Sequence, residues 1–308
     1  MIKINELSHK IKIINTLYFE AAIGLSGNSF LLLFQVLKFI RGQRPRLTDP
    51  PISLLALIHI LMLVVMSLVA TDMFMPGKRW SDSTCKSVLF LHRYFRSLSL
   101  CATSLLSILQ AITLSPRSSR LAKFKYKSPY HMLGCLLVLS IFYSSISSPF
   151  TTHITATPNL TSPGFTYITQ SCCLLPMHYS FWNTFYTLLT LTDVIFVGLM
   201  AISSAYMVTF LYRHKKQSQF LHSTNRSPTS SPEHRATRTI LCLMSFFVVM
   251  YTLNSILSYL RYPSNDPIFY FIVILEGHSY ATVSPFLVLS TEKQIIHIFK
   301  CYGRTVNI

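Results

Sequence analysis

Eight ionisable side chains lie in stretches otherwise built from Leu, Ile, Val, Phe and Met: Glu20, His59, His92, Arg93, Arg96, Asp193, Glu276 and His278. A charge at the centre of a membrane helix costs about 2.5–3.5 kcal/mol on insertion scales, so each needs a partner or a task. His92 and Arg96 are spaced to share one face of a helix, with Arg93 beside that stripe. At about 1.5 Å per residue, Arg96 falls roughly 16 Å below Cys85, and Glu276 roughly 13 Å along the helix that starts after Pro267. Arg96 and Glu276 can therefore share a depth. Two chemistries follow, a structural ion pair or the polar floor of an outward-facing cavity for a small ligand.

Covalent chemistry finds no such support. The sequence has no H-E-x-x-H, no G-x-S-x-G, no phosphate-binding glycine loop and no C-x-x-C pair. Its histidines are scattered singly or flank basic stretches, which suits satisfied polar residues better than metal ligands. No catalytic residue, metal site or cofactor is expected, and the chain is not read as an enzyme.

The elements that must position these groups are membrane helices. Of 308 residues 51% are apolar and only 12% charged, against roughly 25% charged in a soluble domain. A helix needs about 20 apolar residues to cross a bilayer. Seven stretches qualify: Thr16–Lys38, Pro50–Ala70, Lys86–Leu114, Pro129–Phe150, Asn183–Leu211, Arg238–Leu260 and Ile268–Leu289. They use nearly the whole chain. The expectation is an all-α membrane protein, residues 1–308 forming one seven-helix domain, with 290–308 a short cytoplasmic tail.

The net charge of +17 raises nucleic acid as a partner, but the placement of the basic residues points elsewhere. They gather after span one (Lys38, Arg41, Arg44, Arg46), after span three (Arg117, Arg120, Lys123, Lys125, Lys127), after span five (Arg213, Lys215, Lys216, Arg226, Arg235, Arg238) and in the tail. Thr151–Trp182, between spans four and five, has none. This loop asymmetry predicts an N-terminus outside and a C-terminus inside. It accounts for the charge through topology, with a diffuse attraction to anionic inner-leaflet lipid. No basic face is interleaved with base-stacking aromatics, so nucleic acid is not an expected partner. The first 15 residues lack a short apolar core with a small-residue cleavage site, and no cleaved signal peptide is expected.

On this topology Asn159-Leu160-Thr161 is an outer sequon open to glycosylation, whereas Asn225-Arg226-Ser227 is an inner one that should stay bare. Of seven cysteines, Cys101, Cys135 and Cys242 read as small buried apolar residues. Cys85, Cys172 and Cys173 share the oxidising side, so one bridge can form, from Cys85 to either of the other two.

Several stretches resemble one family. They are Ser107–Ser119 at the inner end of span three, Arg213–Gln219, Arg235–Ile240 leading into Phe246–Tyr251, and Gly277–Phe286 in span seven; Asn159–Pro163 and Ser171-Cys172 add the outer loop. Together they resemble the vomeronasal type-1 receptors, heptahelical G-protein-coupled pheromone receptors of the plasma membrane. Gly27-Asn28 is similar to the G-N pair of rhodopsin-like receptors. Leu109-Gln110-Ala111 replaces the D-R-Y triplet, however, and Ser284-Pro285-Phe286 stands where N-P-x-x-Y is usual. His59 takes the place of a sodium-binding aspartate.

The resemblance implies a small ligand among the outer halves of the spans, with His92, Arg96, Glu276 and His278 as the expected contacts. It implies an inhibitory-class G protein (Gi or Go) at the inner ends, met by Gln110, Arg117, Lys215 and Arg238. It also favours Cys172 over Cys173 as the partner of Cys85. Bitter taste receptors are the nearest alternative, since His278-Ser279 resembles their seventh span. A small transporter is the alternative from another class, weakened by the lack of an internal repeat.

Overall fold

The structure is a computed structural model, which describes residues 2–42, 48–75, 77, 79–116, 129–157, 166–176, 178–221, 241, 245–253, 256 and 267–290. Its helices are α1 (Ile2–Ile40), α2 (Asp49–Phe74), α3 (Asp82–Leu114), α4 (Pro129–Thr151), α5 (Tyr179–Leu221), a stretch at 245–253 (α6) and α7 (Pro267–Leu289). Two are longer than their apolar runs. Neither Gly nor Pro interrupts Ile2–Thr16, so α1 continues through polar residues well before its span. The same holds for Leu211–Leu221, where α5 carries Arg213, Lys215 and Lys216 beyond the apolar stretch.

Among the described residues, four helical segments are long and apolar enough to cross a membrane: Lys10–Ile40, Asp49–Phe74, Asp82–Leu114 and Asn183–Phe210. Gly134–Pro149 is a shorter apolar helix. The large side chains these helices expose are apolar, among them Phe19 and Phe39 on α1, Ile141 on α4 and Ile202 on α5. In water such a surface would be costly; in lipid it is solvated. Cys135 belongs to that exposed surface, not to the core expected from its span. The reason is that α4 packs against α3 and turns its remaining faces outward. Cys101 is buried as expected, and Cys242 lies outside the described residues.

α3 is the central helix, packed against α2, α4 and α5, while α1 lies against α2 and α7. Its buried face carries Ser97, Ser99, Thr103, Ser104 and Ser107, small residues that let helices approach closely where lipid offers no hydrophobic drive. The main core joins Ile58 of α2, Leu100 and Leu106 of α3, Tyr143 of α4, Met200 of α5, Phe247 of α6 and Tyr280 of α7. Against α7, Gly24 is required for space. A Cβ there would meet Thr282 Oγ1 at 2.7 Å and Leu63 Cδ1 at 2.8 Å.

The segment between α4 and α5 forms three short strands, β1 (Ile154–Ala156), β2 (Thr166–Tyr167) and β3 (Cys172–Leu174). They pair antiparallel in the order β1-β3-β2. Strands of two or three residues carry too little alternation to be read from sequence. Cys172 is bonded to Cys85 at the head of α3. Cys173 follows it in an extended strand, so its side chain takes the opposite face. It is a buried free thiol, its pKa raised by burial and then by the Asp82 carboxylate.

Five hydrogen bonds also hold this segment over the bundle. Asp82 Oδ1 accepts from Ala156 N–H at 2.6 Å and from the Thr155 hydroxyl at 3.0 Å. Asp72 of α2 accepts from Ser171, and Gln170 Nε2 donates to the Met73 carbonyl at 3.0 Å.

Candidate ligand-binding site

Beneath the sheet, a cleft of about 40 Å³ opens among α2, α3, α6 and α7, lined by Met62, Arg96, Ser99, Phe247, Met250, Tyr251, Glu276, Gly277 and Tyr280. Its walls are aromatic and thioether groups, which adapt to varied apolar shapes. Its ionisable lining is Arg96 and Glu276, the two residues that helical rise puts at one depth. Glu276 is buried (9% exposed).

Arg96 has more company than that. Its guanidinium sits over the Tyr251 ring, 5.5 Å from the centroid. Tyr251 hydrogen-bonds the Asp193 carboxylate of α5, which lies within the electrostatic reach of Arg96 and Arg93. Arg93 in turn covers the Phe185 ring at 5.0 Å. The half-buried positive charge of α3 is thus met by a carboxylate from α5 and two aromatic faces. Charge, π-face and hydroxyl together suit the polar group of a ligand, whose apolar body the helices would have to part to admit.

Behind the cleft a second polar group ties three helices. His59, 1% exposed, has Nε2 2.9 Å from the Ser99 hydroxyl of α3 and Nδ1 3.1 Å from the Ser284 hydroxyl of α7. The Tyr280 ring stands edge-on to the imidazole at 5.3 Å, and its hydroxyl is 3.3 Å from Thr103 Oγ1. Ser99 and Tyr280 line the cleft as well. The ligand wall and the α2–α3–α7 junction therefore share two residues.

The other expected contacts are placed differently. His92 is half-buried one turn outward from Arg96 and is not among the cleft-lining residues. His278 is fully buried, outside the lining, and neither ring nitrogen has a hydrogen-bond partner among the described residues. Near the C-terminal end of α3, Gln110 is buried at 5% exposure. Lys215 falls on the extension of α5. Arg117, Arg238 and Asn159 lie outside the described residues.

Tyr251 and His59 are the residues that sequence reasoning left without a role in the site. Tyr251 stands in one of the family-like stretches and His59 among the buried ionisable groups, but which neighbour each meets depends on helix rotation. A run of apolar residues does not encode it.

The family described as "Vomeronasal organ pheromone receptor family" matches residues 11–301. The chain is 65% identical to Vomeronasal type-1 receptor 54 of Mus musculus, across 100% of this chain and 98% of that one. It is 51% identical to Vomeronasal type-1 receptor 42 of the same species, across 98% and 92%. Vomeronasal type-1 receptor 94 of Rattus norvegicus is 50% identical, across 100% and 95%.

Proposed function

The chain belongs to the vomeronasal organ pheromone receptor family, so it is a receptor and not an enzyme, and we propose that it binds a small chemosignal in the Arg96–Glu276 cleft. Membership of this family displaces the taste-receptor and transporter alternatives. The observation that carries the site is the convergence of Arg96, Tyr251 and Glu276, from three helices, on one cleft beneath the outer sheet. Arg96 and Glu276 are the direct ligand contacts in this reading. His92 stands above them, and His278 backs α7 where a turn of that helix would bring it forward.

The proposed topology is a single domain of seven spans in the plasma membrane, N-terminus outside and C-terminus inside. The basic clusters after spans one, three and five support it, as does the heptahelical character of the family. On that topology Asn159 is glycosylated.

Signalling then needs only differential affinity. A ligand that binds better when α6 and α7 part at their inner ends shifts the population toward that arrangement. Ser99 and Tyr280 connect the cleft to the His59 junction, which gives the shift a physical route. At the inner face Gln110, Arg117, Lys215 and Arg238 meet a Gi or Go protein; the burial of Gln110 means it is uncovered by that opening.

The test is nucleotide exchange in membranes carrying the receptor with one defined Gα at a time. Exchange with Gi or Go that pertussis toxin abolishes is the expected result. Toxin-insensitive exchange through another Gα class contradicts the proposed coupling.

A further inference from the structure

At the other end of the bundle, a cleft of about 270 Å³ opens between the end of α1 and the start of α2, larger than the ligand cleft and sharing no residue with it. It is lined by Gln35, Val36, Lys38, Phe39, Asp49, Pro50 and Ser53. Gln35 is its anomaly. It is 5% exposed, and neither its amide nitrogen nor its amide oxygen has a hydrogen-bond partner among the described residues. A buried carboxamide without partners is unfavourable, because both its donors and its acceptor have left water with nothing in exchange.

The rest of the lining says what would satisfy it. Lys38 Nζ is 3.2 Å from Asp49 Oδ2, so the cleft's cation is already neutralised by its own anion. An anionic headgroup would have to approach the Asp49 carboxylate. Val36 and Phe39, 45% and 73% exposed, form an apolar lip to the cleft. Gln35 lies five residues before the end of α1 at Ile40, or about 7.5 Å in at the rise of a helix.

We propose that this cleft binds a membrane lipid whose polar end is one uncharged hydroxyl, of the sterol class. The Gln35 carboxamide, sealed from the cleft as it stands, turns on its side-chain torsions so that the hydroxyl donates to Oε1 and accepts from Nε2, and the rigid body lies along Val36, Phe39 and Pro50. The volume, near the lower end for small-molecule pockets, suits the hydroxyl-bearing end of such a molecule. The leaflet follows from the proposed topology; the site itself does not depend on the signalling reading.

The experiment uses the full-length receptor in cells depleted of sterol and reloaded with a photoreactive cholesterol, followed by peptide mapping of the label. Labelling of the α1 and α2 segments that carry Phe39 and Pro50 is expected, displaced by excess cholesterol but not by its 3-epimer or by phosphatidylserine. Gln35→Leu should lower that labelling about tenfold, the scale of one lost hydrogen-bonding partner, at unchanged surface expression. Should Gln35→Leu fail to reach the surface, Phe39→Ala alters only an exposed wall of the cleft and is read in the same way. Labelling that is equal in wild type and variant, that maps elsewhere, or that phosphatidylserine displaces equally overturns the proposal.

Discussion

Asp72, near the C-terminal end of α2, receives both polar groups of Ser171: the backbone N–H donates to Oδ2 at 3.0 Å and the hydroxyl to Oδ1 at 2.5 Å. Ser171 immediately precedes Cys172, so a buried carboxylate and a disulfide fasten adjacent residues of the same outer segment. Hydrogen bonds to a charged acceptor are each worth about 1.5–3 kcal/mol, comparable with the roughly 2–4 kcal/mol of a typical disulfide.

Either fastening should hold the sheet in part when the other is lost. Asp72→Ala and Cys85→Ser are each expected to lower the thermal stability of the purified receptor by about 2–4 kcal/mol. The double variant should lose more than the two single losses together, because only then is the segment freed from α2 and α3 alike. Thermal unfolding with limited proteolysis of residues 152–178 measures this. Wild-type stability in Cys85→Ser would make the bridge dispensable.

Arg96 sits against the Asp193–Tyr251 pair, so its removal strands a carboxylate among helices. Both charges are half-buried, so losing one costs less than the about 3–5 kcal/mol of a fully buried pair, while replacing both members is often neutral. Arg96→Met should therefore reduce surface expression, and Arg96→Met with Asp193→Asn should recover most of it. Flow cytometry of an extracellular tag reads the result. A rescue achieved by Glu276→Gln in place of Asp193→Asn would make Glu276 the structural partner and remove it from the ligand floor.

His59 is expected to matter for stability and for transmission. His59→Leu leaves the Ser99 and Ser284 hydroxyls to fall back on their own helices, a loss of about 1–3 kcal/mol in thermal stability. Receptor that still reaches the surface should exchange nucleotide poorly, since the junction behind the cleft is gone. Unimpaired exchange in His59→Leu would show that the signal bypasses this junction.

The two sequons give a direct reading of topology. Asn159→Gln should remove a glycosidase-sensitive mobility shift, and Asn225→Gln should change nothing. The reverse pattern inverts the molecule and moves the basic clusters outside.

What the sequence carries and what it does not follow from the range of the interactions. Helices were legible where the sequence holds long apolar runs; Asp49–Phe74 and Pro267–Leu289 begin and end within a few residues of theirs. The common depth of Arg96 and Glu276 was legible too, because rise per residue is fixed. The Arg96–Tyr251–Asp193 contact was not, since it joins α3, α5 and α6 and depends on how each helix is rotated. The outer sheet was hidden by the brevity of its strands, and the exposure of Cys135 by the same rotational freedom.

The central claim is that Arg96 and Glu276 receive the ligand from outside and that the receptor then drives nucleotide exchange. The most direct measurement applies a panel of small organic acids, amines and neutral volatiles to cells expressing the receptor with a Gi or Go reporter. Any compound that activates it is then tested on Glu276→Gln and on Arg96→Met with Asp193→Asn, the form expected to fold. Normal surface expression is expected with a dose–response shifted by tenfold or more, as losing a charged contact of about 1.5–3 kcal/mol requires. An unshifted dose–response in both variants would place the ligand elsewhere and contradict it.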